Sequence, residues 1–268
     1  MEYSIRDVSE FLNLSREMVR YYEKWGLITP KRNEANNYRS YDILDVFKLM
    51  DAVQYKSWGI PVKRMREMWE GDFLEKSRAQ LLMHRQELAK EVAYKQLLLD
   101  RVEQMAQRAQ TAHLNLKNHW IRQIPKHYFI PLIQGDGDQY GTIELDSQMG
   151  RLLFSEKVAP FWNPCFEEVG DHQLWGFYLE KRYADALELT NLENMRYRPA
   201  RICLCGIADL GPVGHFRREY AQPALEYVKE IGYEQGGTMD AVLLGRGVEE
   251  GKQIRLVELH IPLREKTL

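Results

Sequence analysis

Residues 14–41 read LSREMVRYYEKWGLITPKRNEANNYRSY and order a helix, a stop and a hairpin in immediate succession. Ser15 stands where an N-cap hydroxyl accepts a backbone N–H of the first turn, and Glu17 puts negative charge at the positive end of the helix dipole. The helix is predicted to run to about Trp25, where Gly26 stops it. Beyond it, a proline, three asparagines and the alternating Tyr38, Arg39 and Tyr41 suit a short hairpin, a wing in outline. Between Arg16 and Arg39 stand six basic residues against three acidic ones (Glu17, Glu23, Glu34), in a chain whose formal net charge is -2. A generally basic coat for nucleic acid is thereby excluded, and a focused patch is not. Arg16 and Arg20, four residues apart, share one helix face, as guanidinium groups must to reach the phosphates and base edges of a duplex. A solvated helix face over a core of tyrosines would explain either arginine singly, but not the ordered set.

Outward from this stretch, Ser4 with Asp7 three residues on predicts a capped helix to Leu12, with Ile5, Val8, Phe11 and Leu12 on one face. Asp42 restarts helix, giving Val46, Phe47, Leu49 and Met50 an inward face. Gly59-Ile60-Pro61 breaks it before a short helix near Val62 to Trp69. This first region ends at Gly71-Asp72. The chain of 268 residues is long enough for one to two domains with cores of their own. No window approaches the roughly 20 apolar residues of a membrane span, and charge at the N-terminus argues against a signal peptide, so a cytoplasmic protein without membrane contact is expected. Three cysteines make an odd number, which disfavours a disulfide scaffold.

From about Lys76 to Asn118 there is neither glycine nor proline. A seven-residue spacing collects Leu81, Leu88, Lys95, Val102, Ala109 and Leu116, and a companion seam holds Leu98, Met105 and Ala112. A long helix folded back on its own chain would need a second helix of matching length, and none is offered. A dimerising coiled coil is therefore predicted.

Past Trp120 the texture turns to mixed α and β. Strands are predicted at KHYFIPLI (126–133), Gln173–Leu179, Arg201–Ile207, Ala241–Leu244 and Ile254–Ile261, with a helix between Gly214 and Ile231 that puts Phe216, Tyr220, Ala224, Tyr227 and Ile231 on one face. A proline-flanked strand opens at both Pro125 and Pro199, each followed by glycines, helix and further strands, which reads as a faint duplication. His113 and His119, six apart, fall on different helical faces and do not suggest a metal site. Cys203 and Cys205 share a strand face, where small core thiols explain them better than metal or redox chemistry does. Many aromatic residues fall here, and as a set they suit a cavity for planar or cationic compounds, while each alone suits core packing.

The residues of the first region resemble the MerR family of regulators: Leu14-Ser15, Arg20-Tyr21-Tyr22, Gly26-Leu27-Ile28, Pro30-Lys31-Arg32 and Tyr38-Arg39-Ser40-Tyr41 follow that family's pattern over about the first 70 residues. The resemblance implies a homodimer, joined by an antiparallel coiled coil, that grips a palindromic operator in double-stranded promoter DNA. It implies activation by bending and untwisting that DNA for RNA polymerase holoenzyme. It makes Arg16, Arg20, Tyr21 and Tyr22 the DNA-contacting residues of the helix, Lys31, Arg32, Tyr38 and Arg39 those of the wing, and Lys63 and Arg64 a second wing. Leu81, Leu88, Leu98, Val102, Met105, Ala109 and Leu116 would form the dimer seam. From Pro125 to Leu263 the chain resembles gyrase-inhibitor-like effector domains, on ARICLCGIA, Gly211-Pro212, Gly232-Tyr233 and LVELHIPL. That likeness implies a small-molecule effector, aromatic or lipophilic and cationic in some relatives, held by Trp162, Trp175, Phe177, Tyr220, Tyr227 and Asp240. This chain departs from that pattern with aspartate for glutamate at 240 and Val242 for an aromatic. The expected fold is thus multidomain: a helical winged helix-turn-helix (1–72), a coiled-coil helix (75–119) and an α+β domain with an antiparallel sheet (125–268). Neither cofactor, metal nor catalytic residue is expected. Two rivals are a small hydrolase built on Asp240 or Glu258 near a tyrosine, and a DNA-architectural protein without a ligand.

Overall fold

The computed structural model describes residues 2–33, 37–143, 145–189 and 194–265 and divides into two compact units, Met1–Tyr94 and Lys95–Leu268. The first is helical: α1 (Ile5–Leu12), α2 (Arg16–Lys24), a hairpin of β1 (Lys31–Arg32) and β2 (Arg39–Ser40), α3 (Ile43–Ser57), α4 (Val62–Trp69) and the start of α5 (Phe73–Leu114). Three of these helices, α1, α2 and α3, begin at a side-chain cap. Ser4 and Asp7 form a reciprocal capping box, Ser15 accepts from the Met18 N–H, and Asp42 accepts from Leu44 and Asp45. Asn13 takes the left-handed conformation (φ 51°) that turns α1 into α2. Val8, Val19, Tyr22, Leu27, Ile28, Tyr41, Leu49 and Met65 make the core.

Three residues expected on inward faces point outward instead. Phe11 is 71% exposed, and Phe47 and Met50 are exposed as well. α3 packs through Val46, Leu49 and Ala52, so Phe47 and Met50 lie about 100° or more around the helix from Leu49 at the centre of that stripe. With Tyr3, Val8, Ile43 and Val46 they border an open apolar groove. Glu34, counted in the wing, lies outside the described residues.

The second unit holds the later half of α5 and a ten-stranded antiparallel sheet. Its main path runs β3 (His119–Ile124), β9 (Arg201–Asp209), β12 (Lys252–Glu265), β11 (Asp240–Glu249), β6 (Trp162–Val169), β7 (His172–Glu180), β4 (His127–Asp136) and β5 (Gln139–Tyr140). β8 (Arg196–Arg198) pairs with β4, and β10 (Tyr233–Gln235) with β12. The duplication seen faintly in the sequence is a repeated β-α-β-β unit. β4, α6 (Ser147–Leu153), β6 and β7 form one copy; β9, α8 (Gln222–Glu230), β11 and β12 form the other. The copies join edge to edge where Ala241 faces Phe166. Between them, α7 (Lys181–Ala186) follows β7.

One face of this sheet packs under α8, where Leu204, Ala241, Val257, Leu259 and Ile261 meet Ala224 and Val228. The other face carries Ile124, Phe129, Cys165, Tyr178, Cys203, Cys205 and Val242. Arg101, Gln104 and Arg108 of α5 reach that second face, bonding Asn163, Glu180 and Glu258. α8 is shorter than predicted, because it starts at Gln222-Pro223, so Phe216 and Tyr220 precede it in turns. Proline at the second helical position suits a helix start, not an interior. β3 and β6 escaped the period-2 reading; β6 contains Pro164 and follows a 3-10 turn (Ala159–Phe161).

Candidate functional site

In the first unit, Arg16 and Arg20 are both exposed on α2, and Tyr21 stands beside them against the edge of Trp25. Tyr22, expected at the DNA, is instead fully buried core, its ring turned in by the same periodicity that turns the arginines out. Lys31 and Arg32 are exposed on β1, and Arg32 donates to the Asn37 carbonyl at 3.0 Å. Arg39 ties the hairpin to α2 through Glu23 at 2.7 Å, while Tyr38 is exposed at its tip. Lys63 is exposed. Arg64 is committed elsewhere: both its terminal nitrogens donate to Glu87 of α5, at 2.6 and 2.7 Å, and hold that carboxyl down at about 2. His84 of α5, at 2.8 Å from the Trp58 carbonyl, closes the same junction. Arg64 thus fixes α4 on α5 and offers little to a phosphate.

Along α5, Leu81, Leu88 and Val102 are exposed, Val102 by 59%, and Ala109 is exposed too. Leu98 and Met105 are half-buried. Leu116 lies past the helix end at Leu114, and Ala112 is buried on the sheet side, so neither extends the exposed stripe.

The second unit contains a cavity of about 250 Å³ between α5 and the sheet. Gln104, Gln107, Arg108, Thr111 and Ala112 form its helix side; Trp120, Arg122, Pro125, Tyr178, Glu180, Ile207, Glu258 and His260 form the rest. None of the six residues expected to hold an effector lines it. Trp162 and Phe177 pack with Phe154, and Trp175 and Tyr220 with Phe166, on the sheet's other face. Tyr227 stacks on His119, also on that face. Asp240 does lie on the cavity face but is buried and already paired, with Arg201 and with His260 Nδ1 at 2.7 Å. A ligand cation is therefore not needed as its partner.

Of the cavity's two carboxylates, Glu180 and Glu258, the more deeply buried is Glu258, whose side chain is 4% exposed. Arg108 donates two nitrogens to its Oε2, at 3.2 and 2.9 Å, and Arg122 donates to its Oε1. Burial pushes this carboxyl up, but His260 and the two guanidinium groups outweigh it and hold it below the usual carboxylate range. Burial likewise lowers His260, whose Nδ1 lies 2.7 Å from an Asp240 carboxylate oxygen. A sulfur, an oxygen and a nitrogen from Cys205, Glu258 and His260 lie within 4.8 Å of one another. The guanidinium groups on Glu258 occupy the place of a cation, so the donor set does not suit a metal. Burial raises the Cys203 and Cys205 thiols to about 11 and about 12, which fits inert core thiols.

The site has a signal in the sequence. In LVELHIPL, Glu258 and His260 alternate with Val257, Leu259 and Ile261, and Trp120 and Arg122 alternate on β3. Polar residues at period 2 in an otherwise apolar strand mark a face that meets something other than packing.

Residues 4–41 match the family model described as MerR family regulatory protein. Over 65 residues the chain is 34% identical to the HTH-type transcriptional regulator HmrR of Sinorhizobium medicae (strain WSM419), covering 24% of this chain and 44% of that one. It is 32% identical, with the same coverage, to the Heavy metal-dependent transcription regulator 2 of Rhizobium meliloti (strain 1021). The chain spans under half the length of these curated relatives. Among solved structures, the EcmrR–DNA complex in EcmrR-RPo aligns with 98% of this chain and 100% of its own at 16% identity and a TM-score of 0.39. A MerR family transcriptional regulator from Bacillus cereus aligns with 41% of this chain and 84% of its own at 19% identity and a TM-score of 0.35.

Proposed function

From a head, residues 4–41, that is of the MerR regulatory type, we propose that the protein is a DNA-binding transcription regulator, not an enzyme, which answers to a small molecule bound in its second unit. The observation that carries the reading is the outward face of α2, with Arg16 and Arg20 exposed on a rigidly capped helix whose opposite face is core. Such a face suits entry into a major groove, with the wing residues Lys31, Arg32, Tyr38 and Arg39 on the flanking backbone and Tyr21 beside the arginines. Lys63 adds a phosphate contact.

The working form is a homodimer. The exposed apolar stripe of Leu81, Leu88 and Val102 on α5 favours a partner helix, and an antiparallel pair would present two heads to a palindromic operator. RNA polymerase holoenzyme is the downstream partner, with activation by promoter distortion as the mode. The effector domain is of the gyrase-inhibitor-like kind, a reading supported by the twofold β-α-β-β repeat and a cavity between sheet and helix. Trp120 supplies a flat wall suited to an aromatic compound.

The test is binding of the full chain to duplex DNA, followed by fluorescence anisotropy across a salt series. Affinity should fall steeply with salt, and Arg16→Ala with Arg20→Ala should weaken it and flatten the slope by about one to two ions. Equal affinity and slope for the variant would refute the docking face.

A further inference from the structure

The cavity's hydrogen-bonding capacity is unevenly spent. Both its carboxylates are satisfied by the protein itself: Glu258 by Arg108 and Arg122, and Glu180 by Gln104 and by Arg182 at 2.8 Å. A cationic ligand would find both carboxylates already paired and would have to compete with a guanidinium group for either. Donors are in surplus. Each guanidinium has five N–H groups, and Arg122, whose side chain is 38% exposed and lines the cavity, spends one nitrogen on Glu258.

Resting on the sensing reading above, we propose that the effector is an anion, a small aromatic carboxylate, bound by the guanidinium N–H groups of Arg122 and Arg108 that Glu258 does not take up. Guanidinium and carboxylate match as a planar fork, and a desolvated site strengthens the pairing. Trp120 gives the ring a face to lie on. The volume of about 250 Å³ sits below the roughly 300 Å³ at which drug-sized pockets begin, so the compound is small. Arg108 belongs to α5, whose earlier turns lie in the head unit. A ligand that shares Arg108 with Glu258 therefore bears on a bond made by that helix.

Three probes of one shape separate the charge classes: benzoate, benzamide and benzamidinium, titrated calorimetrically into the full chain. Benzoate should saturate and bind about tenfold or more tighter than benzamide, as a charge-assisted bond exceeds a neutral one. Benzamidinium should bind least. Arg122→Gln should bring benzoate down to the level of benzamide. Glu258→Gln, which frees both guanidinium groups, should bind benzoate about tenfold more tightly, a gain that loss of a merely structural carboxylate would not produce. If that variant unfolds, the Arg122→Gln comparison still decides. Benzamidinium binding as well as benzoate, or benzoate failing to saturate at millimolar concentration, overturns the proposal. DNA binding by the same preparation is read independently, so either failure leaves the regulatory reading standing.

Discussion

Replacing His127 by phenylalanine should remove a pH dependence from the second unit. The imidazole is 1% exposed, stacks on Tyr178 with ring centroids 4.2 Å apart, and lies 2.9 Å from the Pro125 carbonyl through Nδ1. Burial pulls it from 6.5 down to about 4, with Arg201 and His260 adding to the effect and the Pro125 carbonyl opposing it. The native state therefore keeps the ring neutral while the unfolded chain takes up a proton below about pH 6.5. Stability rises with pH wherever the unfolded state binds more protons, so this contribution is complete above that pH and is lost as pH falls towards 4. At about 1.4 kcal/mol per pH unit, the gap from 6.5 to 4 is worth about 3 kcal/mol. His260 is lowered in the same direction, but it is present in both proteins and cancels in the comparison. Phenylalanine keeps the stack and loses the bond to Pro125, so its offset at neutral pH differs while its slope reports the proton alone. Urea unfolding of the full chain at pH 7.0, 5.5 and 4.5 measures this. The variant should lose less stability on acidification than the wild type, by about one proton in slope. Parallel curves would show that His127 titrates normally in the fold.

Glu258→Leu should cost about 3–5 kcal/mol, because it leaves Arg108 and Arg122 facing each other, and Arg108→Met in the same chain should restore part of that loss in a double-mutant cycle. Leu88→Lys with Val102→Lys, both exposed in the single chain, should leave each protomer folded and halve the sedimenting mass; an unchanged mass would remove the seam. Asp42→Ala should destabilise the first unit by about 1 kcal/mol through loss of the α3 cap, read as a lowered urea midpoint with unchanged m. Gly176→Ala should prevent normal β4–β7 pairing, since a Cβ there would stand 2.1 Å from the Ile130 carbonyl oxygen, and a native-like melting temperature would contradict that register.

The head was legible because its signals are local. Ser4, Ser15 and Asp42 cap helices at the residues where the chain says they should, and a cap hydrogen bond spans only two or three residues. Tyr22 was misjudged because a motif carries no phase. Arg20, Tyr21 and Tyr22 are adjacent in sequence but about 100° apart on the helix, and only the packing of Val19 and Tyr22 decides which points inward. The second unit was legible as a class and not as a site. Its aromatic residues stood out by composition, yet Trp162, Trp175, Phe177 and Tyr220 fill the face under the helices. The cavity depends on pairings 62 to 150 residues apart, such as Arg101 with Asn163 and Arg108 with Glu258, which no local window can register.

The central claim, that the α2 face reads duplex DNA as a pair of heads, is tested most directly by selection from a randomised duplex library with the full-length protein, followed by footprinting of the winners. An inverted repeat protected symmetrically about its centre should be enriched, and no sequence should be enriched by the protein carrying Arg16→Ala and Arg20→Ala. Failure to enrich any sequence, or equal enrichment by that variant, would contradict it.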